Sequence, residues 1–143
     1  MTTLKIRKLG FDSIVPNYAT DGSAGLDLHA MEDVFLRPGE RKLVSTNIAI
    51  ELPPGYEAQI RPRSGLALKQ GITVLNSPGT VDSDYRGEIK VLLVNLDDNA
   101  HHISVGDRIA QMVISKYERV DIVEVTELTD SNRGTGGFGS TGV

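Results

Sequence analysis

The chain contains no cysteine. That excludes a disulfide scaffold, a thiolate nucleophile and any zinc site built on thiolates. No run of apolar residues approaches the eighteen or so of a membrane span, and residues 1–11 are basic without an apolar stretch of signal-peptide length. The expectation is an intracellular, cytoplasmic protein with no membrane partner. Positive charge is also scarce: 15 Lys and Arg against 19 Asp and Glu leave a net charge of -4. Nucleic-acid binding rests on neutralising phosphates, and no local Lys/Arg cluster makes up the deficit, so a nucleic-acid partner is not expected. An anionic ligand would need a local basic site or a metal. Helical periodicity is nearly absent as well.

What remains is a series of short strand-like runs at 4–8, 26–30, 34–37, 42–52, 56–61, 72–75 and 89–94, with more beyond. Turn signals separate them at Asp21-Gly22, Arg37-Pro38-Gly39, Pro53-Pro54-Gly55, Gly71, Pro78-Gly79, Asp97-Asp98-Asn99 and Gly106-Asp107. Many short punctuated strands predict an antiparallel all-β sandwich, jelly roll or barrel. One short helix is expected at 64–69, with Ser64 as its N-cap and Gly71 as its stop. A chain of 143 residues makes one domain, burying roughly two-thirds of its unfolded surface. Composition changes near Thr129, so the expected organisation is a β domain over 1–129 and a glycine-rich, mobile C-terminal arm over 130–143.

The segment from Asn76 to Gly87 reads as a hairpin that carries chemistry, with Asp82, Asp84, Tyr85 and Arg86 set between apolar runs. In extended geometry Asp82 and Asp84 share a face and repel, so one is expected to pair with a cation such as Arg86, leaving the other to hold a water or a metal-bound ligand. A solvated acidic loop tip is the alternative. Arg61-Pro62-Arg63-Ser64-Gly65 offers guanidiniums, a hydroxyl and helix-start amides for phosphate oxygens, or else a capped helix whose arginines pair with acids elsewhere. Arg108 and Gln111 interrupt an apolar strand, and a buried glutamine there is either a core network member or a ligand contact. His101-His102 resembles a metal pair, but neighbours on a strand face opposite ways, and solvated histidines are expected.

The tail places five glycines within 133–142, and Phe138 is its one sizeable apolar group. Ordering each residue costs roughly 1 to 2 kcal/mol, so the segment needs an outside partner to become ordered. Arg133, Ser140 and Thr141 could surround a polyphosphate while Phe138 stacks on a flat ring. The alternative is a frayed linker.

Five segments stand in order: Ala24-Gly25-Leu26-Asp27-Leu28, Arg63-Ser64-Gly65, 76–87, 106–111 and 133–142. In this the chain resembles the trimeric dUTPases over nearly its whole length. The resemblance implies a β jelly-roll (β-clip) homotrimer with shared active sites. Its reaction would be hydrolysis of dUTP to dUMP and pyrophosphate with Mg²⁺, keeping uracil out of DNA and supplying dUMP for thymidylate synthesis. Carried over by motif, Asp82 would activate the attacking water. Arg63, Ser64, Gly65 and Gln111 would hold the phosphates, and Asn76, Thr80 and Val81 would read the uracil edge. Tyr85 would back the deoxyribose, and Lys90 would line the slot. Arg133, Phe138, Ser140 and Thr141 would close over the nucleotide. No direct protein ligand to the metal is implied. Asp27 belongs either near the metal and phosphates or to a structural hydrogen-bond network. A dCTP deaminase of the same fold lacks this hairpin and tail, and an intact Asp82 argues against a binding protein that has lost its chemistry.

Overall fold

A computed structural model describes residues 1–142, so Val143, the end of the expected arm, lies outside the described residues. Within the described residues ten strands and one helix form an antiparallel jelly-roll-type fold, as the punctuated strand pattern implies. One sheet has the order β1 (Lys5–Lys8), β4 (Arg41–Glu51), β8 (Glu88–Asn95), β6 (Ile72–Val74). The second has β2 (Leu26–His29), β10 (Arg108–Lys116), β5 (Tyr56–Arg61), β7 (Gly79–Val81), while β3 (Val34–Leu36) and β9 (His101–Ile103) form a separate pair. Strand alternation sends one face of each sheet inward. Leu28, Leu36, Val44, Ile72, Leu93 and Met112 are fully buried there, each stabilising the fold by about 1.5 to 3 kcal/mol before chain entropy is counted.

Asn95 is a fully buried polar residue in this core. Its amide donates to the carbonyls of Leu36 (3.1 Å) and Asn99 (2.8 Å), and its oxygen accepts from the Asp97 amide (2.9 Å). The first ties the 95–99 turn to β3 and the other two close that turn on itself, so the buried amide and its oxygen are all paired and a polar side chain is tolerated. The helix α1 (Ser64–Gln70) is closed by Gly71, whose φ of 61° and amide bond to the Ala67 carbonyl make a left-handed C-cap. Its N-cap is Arg63 rather than Ser64, and no side chain caps it. Ser64 is thus the first helical residue, and its hydroxyl is not spent on capping.

The segment 76–87 is not a simple hairpin. The paired strands β6 and β8 close at the bond from the Leu75 amide to the Leu92 carbonyl (2.9 Å). Between them the chain crosses to the other sheet and pairs β7 with β5. Its start includes a cis Ser77–Pro78 peptide. After Val81 the backbone turns instead of staying extended, with the Tyr85 amide bonded to the Asp82 carbonyl at 3.2 Å. The strand geometry that would align Asp82 with Asp84 is therefore absent.

Beyond β10 the ladder stops. Among residues 118–142 only Gly136 and Gly137 are even partly buried, and the backbone bonds of the tail are local turns such as Gly134 to Ser131 and Ser140 to Gly137.

Candidate active site

Two clefts carry most of the sequence-predicted residues. The first lies between β7, the following turn and β8, and is lined by Thr80, Val81, Asp82, Tyr85, Glu88 and Lys90 with Leu43 and Ile89 at its apolar wall. Asp82 is exposed at its edge. Arg86 does not form the expected ion pair with either acid. Its guanidinium donates to the carbonyls of Ser83 (2.6 Å) and Tyr85 (3.1 Å), pinning the turn by its own backbone. Among the described residues neither Asp82 nor Asp84 has a salt-bridge partner, so the turn presents Asp82 unpaired. The Tyr85 hydroxyl donates to the Glu88 carbonyl at 2.9 Å. That folds the ring across Gly87, where any Cβ would collide with the phenol. Asn76 sits just outside, exposed, with its amide 3.2 Å from where a Gly79 Cβ would stand.

The second cleft is lined by Gly25, Asp27, Arg63, Ser64, Gly65, Arg108 and Gln111. Strand alternation on β2 buries Leu26 and Leu28 and turns Asp27 and His29 outward. A three-residue separation on a regular strand would put Arg108 and Gln111 on opposite faces. A bulge between Arg108 and Ala110 instead pairs Gln111 with Asp27 and Arg108 with His29, bringing both outward while Ile109 is buried. Asp27, 14% exposed, lies 3.6 Å from the Arg63 guanidinium and 3.5 Å from that of Arg108. It is the acceptor that holds two cations side by side. Gln111 donates to the Pro62 carbonyl at 3.0 Å, and its Oε1 would stand 2.5 Å from a Cβ on residue 25. Only glycine fits there. Burial pushes the His29 pKa below its ordinary value, and neighbouring Arg108 and Arg63 act the same way against the opposing pull of Asp27.

Two residues with no role assigned from the sequence line these clefts: Arg108, which interrupts the β10 strand pattern, and Glu88. An arginine opening an apolar strand was the visible signal for the first. The second had none, being an acid at an ordinary strand start. His101 is not solvated: it is half-buried and bonded to Asp97 at 2.6 Å. Arg133, Phe138, Ser140 and Thr141 touch neither cleft. Arg133 donates to the Gly136 carbonyl at 2.7 Å, and Phe138 stands fully in solvent with φ of 49°.

The first cleft offers a carboxylate that can hold a water and the second offers cations and a hydroxyl for an anionic group, the parts that a hydrolase of phosphorylated substrates needs. The dUTPase family model matches residues 12–142, and the chain belongs to that family. It is 60% identical to the deoxyuridine 5'-triphosphate nucleotidohydrolase of Nautilia profundicola, covering 97% of this chain and 98% of the relative. That of a Hydrogenobaculum species is 62% identical, with 98% of each covered. Among solved structures, a mutant dUTPase of Staphylococcus bacteriophage 80alpha with dUpNHpp superimposes with a TM-score of 0.92 at 27% identity, over 99% of both chains. The fold is also shared with a mutant dUTPase of phage phi11, described with a structural Mg(II) ion, at TM-score 0.83 and 23% identity, over 90% of this chain and 99% of that one.

Proposed function

We propose that the chain hydrolyses dUTP to dUMP and pyrophosphate, in sites assembled between copies of itself in a homotrimer. The separation of the two clefts within one copy carries this reading. Val81 pairs with Ala58 near the start of β5, whereas Arg63 follows its far end. At about 3.3 Å per residue, Asp82 and Ser64 are on the order of 15 Å apart. A water held by Asp82 and a hydroxyl at the α-to-β bridging oxygen must both reach one phosphorus. The two clefts share no residue, so one substrate can use both only when a second copy supplies one of them. The exposed Val120, Ile122, Val123, Val125 and Leu128 supply apolar surface for such an assembly.

In this site Asp82 takes the proton of a water as its oxygen attacks the α-phosphorus in line with the departing pyrophosphate. Arg63, Ser64, the Gly65 amide and Gln111 hold the phosphate chain, and Asp27 keeps Arg63 and Arg108 aimed at it. Backbone groups of Asn76, Thr80 and Val81 meet the uracil edge. A pinned turn leaves no room for a 5-methyl group, and Tyr85 closes the place a 2′-hydroxyl would need. Lys90 lines the same slot. Residues 130–143 act as the arm: Arg133, Ser140 and Thr141 settle on the phosphates and Phe138 on the base, their ordering driven by bound nucleotide.

Among the described residues no group of three or more His, Asp or Glu converges on a metal position, and Asp27 is taken up by two guanidiniums. That donor set suits Mg²⁺ held by triphosphate oxygens and water rather than a protein cage, with Asp27 at most an indirect contact. When bound, the ion neutralises phosphate charge. Among the described residues no helix is long and apolar enough to cross a membrane, and a cytoplasmic enzyme is the reading we favour. The test is pyrophosphate release from dUTP, dTTP, dCTP and UTP with Mg²⁺ and with the metal chelated. Release from dUTP alone, lost on chelation, supports the proposal, and no release from any of the four overturns it. Sedimentation at a trimer mass tests the assembly.

A further inference from the structure

Glu88 follows the third motif and bonds in three directions at once. Its carboxylate accepts from the Asn47 amide at 2.9 Å and from the Ser45 hydroxyl, both on β4. The other carboxylate oxygen lies 3.5 Å from the Lys90 ammonium. Its backbone carbonyl is the acceptor for the Tyr85 hydroxyl. The carboxylate spans the place where β4 and β8 lose register, between Ser45 and Ala49.

Asn47 there has a φ of 53°, a left-handed conformation that asparagine tolerates better than other residues with a side chain and that is fixed here by its neighbours. The carbonyl side of Asn47 is held by the Leu9 amide (2.9 Å) and the Ser13 hydroxyl (2.7 Å). Its amide side is held by Glu88. An acid with a side chain only 20% exposed, aimed at a bulge and a lysine in the same cleft, does more than solvate a strand end.

We propose that Glu88 is a positioning residue for the nucleoside cleft. It locks the β4 bulge that backs the cleft and, through one side chain and one carbonyl, sets Lys90 and Tyr85 at their places in it. The proposal rests on reading that cleft as the nucleoside site.

Two substitutions separate positioning from a plain structural staple. Glu88→Gln keeps an oxygen for Asn47 and Ser45 but removes the charge facing Lys90. We expect its melting temperature to stay at the wild-type value and its KM for dUTP to rise about 2- to 5-fold, the worth of a partly exposed ion pair, with a smaller change in kcat. Glu88→Ala removes both functions, so the melting temperature falls by several degrees and KM rises about tenfold or more. NMR relaxation of the Lys90 side chain in the unliganded protein should show it loosened in both variants. Wild-type KM together with unchanged Lys90 mobility in Glu88→Gln would overturn the proposal. If the unaltered chain fails to turn over dUTP, the substrate reading falls, and the Lys90 relaxation still decides whether Glu88 positions it.

Discussion

The barrel and residues 120–128 are written in the same alphabet of β-branched and aliphatic residues, yet they end in opposite states. Along β8, Ile89, Val91, Leu93 and Val94 all vanish into the core. Along the tail Val120, Ile122, Val123 and Val125 are all exposed. The difference is pairing. Each barrel strand finds a neighbour for its amides and a sheet to bury its side chains against. The tail finds neither in its own chain. The apolar surface at 120–128 is what the proposed assembly would bury, and the glycine-rich end is what the proposed nucleotide site would order.

The largest effect is expected at Asp82, the carboxylate that the turn presents without an ion-pair partner among the described residues. Asp82→Asn should leave fold and assembly intact while lowering kcat by about 10² to 10⁴, the usual contribution of a general base. Single-turnover kinetics at saturating dUTP measure it, and unchanged turnover would sink the role. Ending the chain after Asn132 should lower kcat/KM by about 10- to 100-fold through lost charge-assisted contacts. The melting temperature should hold, because among the described residues the hydrogen bonds of 133–142 are all local to the tail; a large drop would make the tail structural. Replacing both Ile122 and Val125 by Asp should shift sedimentation from trimer toward monomer without unfolding the barrel. A trimer that survives would show that other surfaces hold the copies together.

Smaller effects test the phosphate cleft. Asp27→Asn removes the charge that holds Arg63 and Arg108, and KM should rise about tenfold, as expected when a charged hydrogen-bond partner is lost. Isothermal titration with a non-hydrolysable dUTP analogue measures the dissociation constant without turnover, and it should rise by a similar factor. The mildest concerns His29, whose folded-state pKa is depressed by burial. Its neutral form is favoured by folding, so its share of stability is complete above its unfolded pKa of about 6.5. That share is lost as pH falls below that value toward the folded pKa. Melting temperature should therefore decline between pH 7 and 5, less steeply in His29→Asn. Equal slopes would assign the decline to other groups.

Much of the barrel was readable before folding was considered, because turn residues and β-branched runs act locally. The helix stop at Gly71 was readable for the same reason. The N-cap at Arg63, and the release of Ser64 from capping duty, were not, since they depend on where the chain leaves β5. The extended path expected through Asp82 and Asp84 failed because β7 is captured by the opposite sheet and the chain must turn at once to regain β8. The Arg86 ion pair failed with it: nearby carbonyls in the turn satisfied the guanidinium first.

Residue order alone dictated an all-β domain, the five polar segments and the family they mark, since each rests on local pattern. Which of those segments meet was decided only in three dimensions. Arg108 and Gln111 should face apart by the two-residue period of a strand, and one extra residue in β10 turns them to the same side as Asp27. Asp82 and Ser64 stand at opposite ends of β5 although both belong to the proposed reaction. Local preference is set by neighbours a few bonds away, whereas bulges, register and distance along a sheet are set by strands paired from elsewhere in the chain.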